Sequence, residues 1–197
     1  KEAPITEEIK TQTFDNNIQI PAAVVAYRTP GFASREAYVF DMISSYLSDG
    51  KSSKLYKKMV DDQKQALQVG AFNVGQEDYG MYLVFGLPLG EVGLETLVSE
   101  MEEEVAAVRN SLISENDYQK LQNKFENQFV NSNSSVEGIA NSLARNYMLY
   151  GDTSLINKEI DIYRSITREE IQKVAQEFLN TNQRVVIDYL PTPKESK

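Results

Sequence analysis

Residues 34–47 of this chain are apolar on nearly every face of a helix, and this run limits the folds that the chain can adopt. Its apolar side chains are Ala37, Val39, Phe40, Met42, Ile43 and Leu47. A helix that is apolar all round lies inside a protein rather than on its surface. The chain has 197 residues, which is enough to surround such a helix with other elements.

Short β-favouring runs and capped helices provide those elements. Strands are predicted at residues 9–14 (half-buried, by alternation), 21–27, 66–74, 81–87 and 184–189, the third and fourth forming a hairpin. Helices are predicted at residues 34–47, 52–62 (capped by Ser52 or Ser53), 93–109, 114–150 and 167–179. Capping boxes begin the last two helices, and the helix-poor residues 131–135 predict a kink or a break within the helix at residues 114–150. Strands grouped early and helices grouped late indicate an α+β fold, a mostly antiparallel sheet with helices on one face.

Composition excludes several classes of function. The net charge of −9 argues against binding of nucleic acid, because phosphate contacts require clusters of Lys and Arg. The acidic side of the predicted helix at residues 93–109 is interpreted as a solvated surface. The chain has no cysteine and no apolar run of membrane-spanning length, so we expect neither disulfides nor a membrane span. The start, Lys1-Glu2-Ala3-Pro4, suggests a segment of a longer chain from either the bacterial periplasm or the cytoplasm.

Several sequence blocks, taken in order, carry a family resemblance. The first blocks read Tyr27-Arg28-Thr29-Pro30-Gly31, Tyr46-Leu47-Ser48-Asp49-Gly50 and Ser52-Ser53-Lys54-Leu55-Tyr56, and the later ones lie at residues 114–124, 143–152, 166–175 and 185–191. At these spacings the chain resembles the C-terminal half-domain of the M16 (insulinase/pitrilysin-type) zinc metallopeptidases from about Ala26 to Pro191. The resemblance implies the LuxS/MPP-like metallohydrolase fold, with a linker or entry strand at residues 1–16, one domain at 17–192 and a tail at 193–197.

The resemblance also implies a division of chemistry between two halves. In this family an N-terminal half-domain of the same parent chain holds zinc with a His-x-x-Glu-His helix, whose glutamate activates water. This chain has no histidine, so we expect no catalytic residue and no metal ligand in it, and zinc is implied only for the parent. The implied partners are that N-terminal half, a second M16 subunit and a peptide substrate.

Two further positions are implied by the resemblance to contact substrate. The C-terminal half of the active partner supplies an arginine and, seven residues later, a tyrosine, which position the substrate and stabilise the developing oxyanion. Aligning residues 52–56 on the family motif places Val60 and Leu67 at these positions. Neither side chain donates a hydrogen bond, so the site is degenerate. Nearby Lys57, Lys58 and Lys64 do not occupy the motif positions and are interpreted as solvated.

Three hypotheses follow from the absence of the zinc motif and of the arginine and tyrosine donors. In the first, the chain is the C-terminal half of the zinc-bearing subunit of a two-subunit peptidase, helps to form the peptide chamber and leaves the missing donors to its partner. In the second, the parent is a non-catalytic homologue that closes the chamber or acts as a scaffold. In the third, the chain is a ferredoxin-like binding module whose resemblance is architectural only. On the family reading, an extended peptide is expected to contact the edge strand at residues 66–74.

Overall fold

The computed structural model describes residues 3–193, and within them the chain forms a five-stranded sheet and six α-helices. The strands are β1 (Ile9–Asp15), β2 (Ala22–Pro30), β3 (Ala66–Val74), β4 (Tyr79–Pro88) and β5 (Arg184–Pro191). The helices are α1 (Arg35–Ser48), α2 (Leu94–Asn110), α3 (Glu115–Ser132), α4 (Val136–Tyr150), α5 (Leu155–Ser165) and α6 (Arg168–Phe178). A π-helical segment, Tyr56–Asp62, follows α1, and a 3-10 turn, Thr181–Gln183, precedes β5.

The sheet has the strand order β1-β5-β2-β4-β3. Neighbouring strands are antiparallel except for β1 and β5, which pair in parallel from Ile9 opposite Val185 to Asp15 opposite Pro191. The last strand of the chain therefore lies between the first two. This arrangement confirms the predicted α+β fold with a mostly antiparallel sheet.

The hydrophobic core lies between one face of the sheet and the helices. Alternate residues of β2 are buried there because successive side chains of a strand point to opposite faces. The α1 residue Phe40 is fully buried between Tyr82 of β4 and Phe178 of α6, with ring centroids 5.3 and 5.9 Å away. This confirms that the all-apolar helix is buried, and each such large side chain contributes roughly 1.5–3 kcal/mol.

Strand β1 forms where it was predicted, but the prediction that it is half-buried is wrong. Residues 9–14 are all exposed, because β1 is an edge strand that pairs only with β5. The expected linker or entry strand at residues 1–16 thus contains a strand hydrogen-bonded into the sheet. Residues 1 and 2, and residues 194–197 of the expected tail, lie outside the described part of the chain.

The predicted helix caps and the predicted break are confirmed for the later helices. The Ser114 and Thr167 hydroxyls accept hydrogen bonds from the backbone N–H groups of Asp117 and Glu170, at 3.1 and 3.2 Å. Helix α3 ends at Ser132 and α4 begins at Val136. The sequence pattern had not indicated α5, although its apolar side chains recur at helical spacing.

The cap proposed for the second helix is wrong. The Ser53 hydroxyl donates to the Gly50 carbonyl at 2.7 Å, so it closes the preceding turn and does not satisfy a helical N–H group. Only two α-helical residues precede the π-helical segment, for which no side-chain cap is formed.

The glycine of the Pro30-Gly31 turn has a specific packing role. A Cβ atom at Gly31 would lie 2.2 Å from the backbone oxygen of Glu77, in the turn between β3 and β4. The next residue, Phe32, donates its N–H to the Gln76 carbonyl at 2.9 Å. Glycine is therefore required because two backbone turns meet at this point.

Candidate peptide-binding site

Three backbone irregularities follow one another at residues 56–68, the segment that contains both implied substrate positions. They are the π-helical segment, a left-handed residue and a β-bulge. Departures of this kind are uncommon in element interiors and concentrate at binding and catalytic sites.

The π-helical segment ends in a hydrogen bond that spans five residues, from the Gln63 N–H to the Lys58 carbonyl, at 2.9 Å. Val60 lies in this segment, partly buried and packed against the core. A π-helical turn holds more residues than an α-helical turn, so it changes the direction of the side chains that follow it in the helix. The position at which the resemblance implies an arginine therefore lies on a widened π-helical turn, and its side chain here is aliphatic.

The connection to β3 completes the irregular segment. Lys64 has φ of 52°, and no other non-glycine residue among residues 3–193 has positive φ. Two residues later a β-bulge interrupts the pairing of β3 with β4, between Ala66 and Gln68. Leu67 lies in this bulge and is 49% exposed. Val60 and Leu67 therefore have different surroundings, one against the core and the other in solvent.

The lysines of this segment are not simply solvated, which corrects the expectation for Lys58. Its ammonium group lies 2.9, 2.6 and 3.4 Å from Glu100, Glu103 and Glu104 of α2. Burial disfavours the charged ammonium, but hydrogen bonds to Glu103 and Glu100 outweigh burial and raise the pKa of Lys58. Lys57 pairs with Asp62 at 3.3 Å. Lys58 thus ties the π-helical segment to α2.

The acidic side of α2 is likewise largely ion-paired rather than solvated as expected. Besides the three glutamates on Lys58, Glu102 accepts hydrogen bonds from Arg184 at 2.5 Å, from Tyr27 at 3.3 Å and from Arg109. Arg184 also donates to Glu8 at 2.8 and 2.6 Å. Its side chain is only 9% exposed, so this network joins the N-terminal segment, β2, α2 and β5 below the surface.

An open groove of about 520 Å³ runs between α1 and the edge strand β3. Its lining residues include Asp41, Ser44 and Ser48 of α1, residues 68–73 of β3, and Phe125 of α3. An edge strand presents unpaired N–H and C=O groups that an added strand can bind. One of these groups is already occupied, because the Ser48 hydroxyl donates to the Ala71 carbonyl at 2.8 Å.

Charged and aromatic groups border this groove. The Lys124 ammonium on α3 lies 2.9 Å from the Ser45 hydroxyl and also pairs with Asp49. The Asp41 carboxylate accepts from the Tyr163 hydroxyl at 2.9 Å. Asp41 as a residue is exposed, but protein atoms crowd its carboxylate, and this desolvation raises its pKa to about 6. No local sequence pattern indicates this border, since Asp41 and Tyr163 are 122 residues apart.

The sheet face opposite the helices is apolar and open. Its side chains alternate with the buried ones along β2, β4 and β5, and they remain half-exposed at Val24, Phe85 and Ile187. Phe72 and Met81 on the same face are each 42% exposed. Contiguous exposed apolar side chains on one face are typical of interaction sites.

The described residues do not fit a zinc ion. Among residues 3–193 no three His, Cys, Asp or Glu side chains are grouped so that they could hold a metal. Catalytic zinc sites use three such protein ligands, with histidine prominent among them. No helix in the same part of the chain is long and apolar enough to cross a membrane.

Comparison with known proteins identifies the family. A profile described as "Peptidase M16 inactive domain" matches residues 2–125, which is more than half of the chain. The chain belongs to this family. The resemblance of the sequence blocks to the M16 C-terminal half-domain is therefore confirmed, and the hypothesis of an unrelated binding module is wrong.

Individual relatives agree with this assignment. The chain is 20% identical over 176 residues to a Helicobacter pylori protein named zinc protease PqqE, covering 89% of this chain and 39% of that protein. A crystal structure of a protease from H. pylori superposes with a TM-score of 0.88 at 18% identity, over 96% of this chain and 46% of that one.

A third relative corresponds to this domain alone. The structure described as the inactive peptidase domain of a zinc protease from Bordetella parapertussis has a TM-score of 0.77 at 19% identity, covering 90% of this chain and 96% of that one. At these identities the superpositions establish the fold. The chain thus spans less than half the length of both H. pylori proteins.

Proposed function

We propose that this chain is the zinc-free half of an M16 metallopeptidase and forms part of the wall of its peptide chamber. The observation that supports the proposal is the irregular backbone at residues 56–68, which combines a π-helical segment, a left-handed Lys64 and a bulge at Leu67. These features lie where the family resemblance puts the substrate-contacting pair. At these two positions Val60 and Leu67 supply neither a cation nor a hydroxyl.

We further propose that the parent chain is the zinc-bearing subunit of a two-subunit enzyme. A catalytic subunit can lose its own oxyanion donors at no loss of rate when a partner supplies an arginine and a tyrosine to the same transition state. The zinc, with its ability to lower the pKa of a bound water, then lies in the N-terminal half of the parent. The alternative is a parent that has neither part of the chemistry and acts as a scaffold.

The open apolar sheet face is proposed to be covered by the rest of the parent chain. Its half-exposed residues on β2, β4 and β5 form a continuous surface whose removal from water would contribute about 25 cal/mol per Å². A large apolar interface of this kind would hold the two halves of the parent together.

The decisive experiment is the zinc content of the full parent chain, purified without added metal. One zinc per chain, together with peptidase activity that appears only after a subunit bearing the arginine and tyrosine is added, is the expected result. A zinc-free parent would overturn the zinc-bearing assignment and leave the scaffold as the function.

The contact with substrate is tested separately by hydrogen exchange. An inactive parent assembly is incubated with an extended peptide, and the amides of β3 are expected to exchange more slowly than in its absence. The amides of β1, at the opposite edge of the same sheet, provide the control. Unchanged exchange along β3 would show that peptide does not add to this edge.

A further inference from the structure

The backbone groups on the free edge of β3 can be identified from its pairing with β4. Leu89, the residue after β4, donates its N–H to the Gln65 carbonyl at 2.8 Å, so the backbone of Leu89 faces β3. Alternate residues of a strand face the same neighbour, which places Leu87, Phe85 and Leu83 in the same orientation. The partners of these residues on β3 therefore bond to β4.

Three residues of β3 direct their backbone groups away from β4. The residues that bond to β4 are the even-numbered ones from 68 to 74. Those between them present N–H and C=O groups at the free edge, and they are Val69, Ala71 and Asn73. Among residues 3–193, the backbone groups of Val69 and Asn73 form no hydrogen bond on this side. These two residues thus keep both groups available for an added strand.

The central residue of this edge, Ala71, differs from its neighbours. Its carbonyl accepts a hydrogen bond from the hydroxyl of Ser48, the last residue of α1, at 2.8 Å. The same hydroxyl lies 3.2 Å from the Ser44 carbonyl, within its own helix. A hydroxyl has one proton to donate. Ser48 therefore has two alternative acceptors, one on the sheet edge and the other in α1.

We propose that Ser48 controls the addition of a peptide strand to β3. While the edge is empty, the Ser48 hydroxyl donates to the Ala71 carbonyl. When a peptide pairs with the edge, a peptide N–H donates to that carbonyl and the Ser48 hydroxyl turns to the Ser44 carbonyl. Ser48 is thus a positioning residue that competes with the peptide for one edge group. This inference rests on the proposed function of β3 as a peptide-binding edge.

The competition at Ala71 has opposite effects on the empty and the occupied edge. An unpaired edge invites association with strands of other chains, and a carbonyl that is already bonded makes such pairing less favourable. A peptide replaces a protein hydrogen bond at Ala71, whereas at Val69 and Asn73 it replaces only water. One hydrogen bond of ordinary net strength corresponds to a change in affinity of about threefold.

Binding of a synthetic peptide to the full parent chain tests this role of Ser48. The probe is a fluorescein-labelled peptide of alternating valine and threonine with a lysine at each end, and a chelator is present to prevent zinc-dependent cleavage. Fluorescence anisotropy is expected to show that Ser48→Ala binds the probe about threefold more tightly than wild type, because no hydroxyl competes for the Ala71 carbonyl. Ser48→Thr, which keeps the hydroxyl, should restore the wild-type affinity.

Ser45→Ala is the matched control for this measurement. Ser45 lines the same groove and lies on the same helix, but its hydroxyl contacts the Lys124 ammonium at 2.9 Å rather than the strand edge. The affinity of this variant for the probe should equal that of wild type.

Two analogues of the probe separate this role from a general effect on the fold. Each has an ester in place of one amide, at neighbouring central residues, so one ester faces β3 and the other faces away. An ester has no N–H, so the Ala71 carbonyl opposite it depends on Ser48 for a donor. Ser48→Ala should therefore bind that analogue more weakly than wild type does, the reverse of the result with the all-amide probe. The other analogue should behave like the all-amide probe.

Hydrogen exchange distinguishes failure of this inference from failure of the function on which it rests. Protection of the β3 amides by the all-amide probe in the wild-type parent, together with the reversal for the ester analogue, supports the role of Ser48. Protection with equal or weaker binding of the probe to Ser48→Ala, or with no reversal, would overturn that role and leave the peptide site on β3 intact. Absence of protection would overturn the strand addition itself, and this inference with it.

Discussion

Replacing Arg184 by methionine tests whether the buried charge network stabilises the fold. Arg184 is 9% exposed and binds two carboxylates, Glu102 on α2 and Glu8 in the N-terminal segment. Methionine retains most of the apolar packing of the arginine stem and removes all of its N–H donors. The change therefore isolates the polar contribution of this side chain.

The expected loss of stability depends on the hydrogen bonds that each carboxylate retains after Arg184 is removed. Removing one partner of a fully buried ion pair costs about 3–5 kcal/mol. Glu102 retains Arg109 and the Tyr27 hydroxyl, and the Glu8 side chain is 29% exposed and regains water. We therefore expect a loss of about 2 kcal/mol in the free energy of unfolding. For a domain of this size that corresponds to a fall in Tm of about 4–8 °C.

Urea unfolding followed by circular dichroism measures this loss, and its pH dependence identifies the cause. The hydrogen bonds from Arg184 lower the pKa of Glu8, so this part of the stability is present above the unfolded value of 4.5 and is lost as pH falls below it. The difference between wild type and Arg184→Met should therefore shrink below pH 4.5. A loss under 0.5 kcal/mol at pH 7, or a difference that does not change with pH, would refute the reasoning.

Three other substitutions test local features of the fold. Gly31→Ala should cost about 2 kcal/mol, because its Cβ would meet the Glu77 carbonyl at 2.2 Å. A Cβ at Gly93 would meet only the Thr96 hydroxyl, at 4.0 Å, so Gly93→Ala should cost under about 1 kcal/mol in the same urea assay. Lys64→Gly should raise the free energy of unfolding by about 0.5 kcal/mol by relieving the left-handed backbone, and a loss of stability would show that φ is not strained there. The free energy of unfolding of Asp41→Asn should increase by about 1 kcal/mol relative to that of wild type between pH 4.5 and pH 7. The wild-type carboxyl has a pKa raised to about 6, so the folded state keeps this proton to a higher pH than the unfolded state does. Wild-type stability therefore falls as pH rises through this range. Equal slopes of the two pH profiles would contradict this last expectation.

The sequence contained enough information for most of the fold because its strongest patterns are local. Capping by Ser114 and Thr167 depends on contacts three residues apart, and the buried helix α1 follows from its apolar composition. Helix α5 is not predicted from the sequence, since only Ile160 in it is buried and its polar side chains dominate the segment.

The candidate site was harder to predict because its geometry depends on tertiary contacts. The π-helical turn at Val60 and the bulge at Leu67 arise where the helix is tied to α2 through Lys58 and where the strand pairs with β4. Neither partner is near in sequence. The acidic side of α2 was misinterpreted for the same reason, because Arg184, one of the two arginines that bind Glu102, follows it by 82 residues.

The position of β5 has a consequence for how the chain folds as it is synthesised. Strand β5 is made after the other four strands of this sheet, yet it separates β1 from β2. Until β5 has been synthesised, β1 has no strand to pair with, and one edge of β2 stays unpaired. Contacts spanning more than 170 residues close slowly, so the nascent chain passes through a stage with open strand edges. Chaperone binding would be most useful to this protein at that stage. A variant that lacks only residues 184–193 should be far more prone to aggregation than such a short deletion suggests.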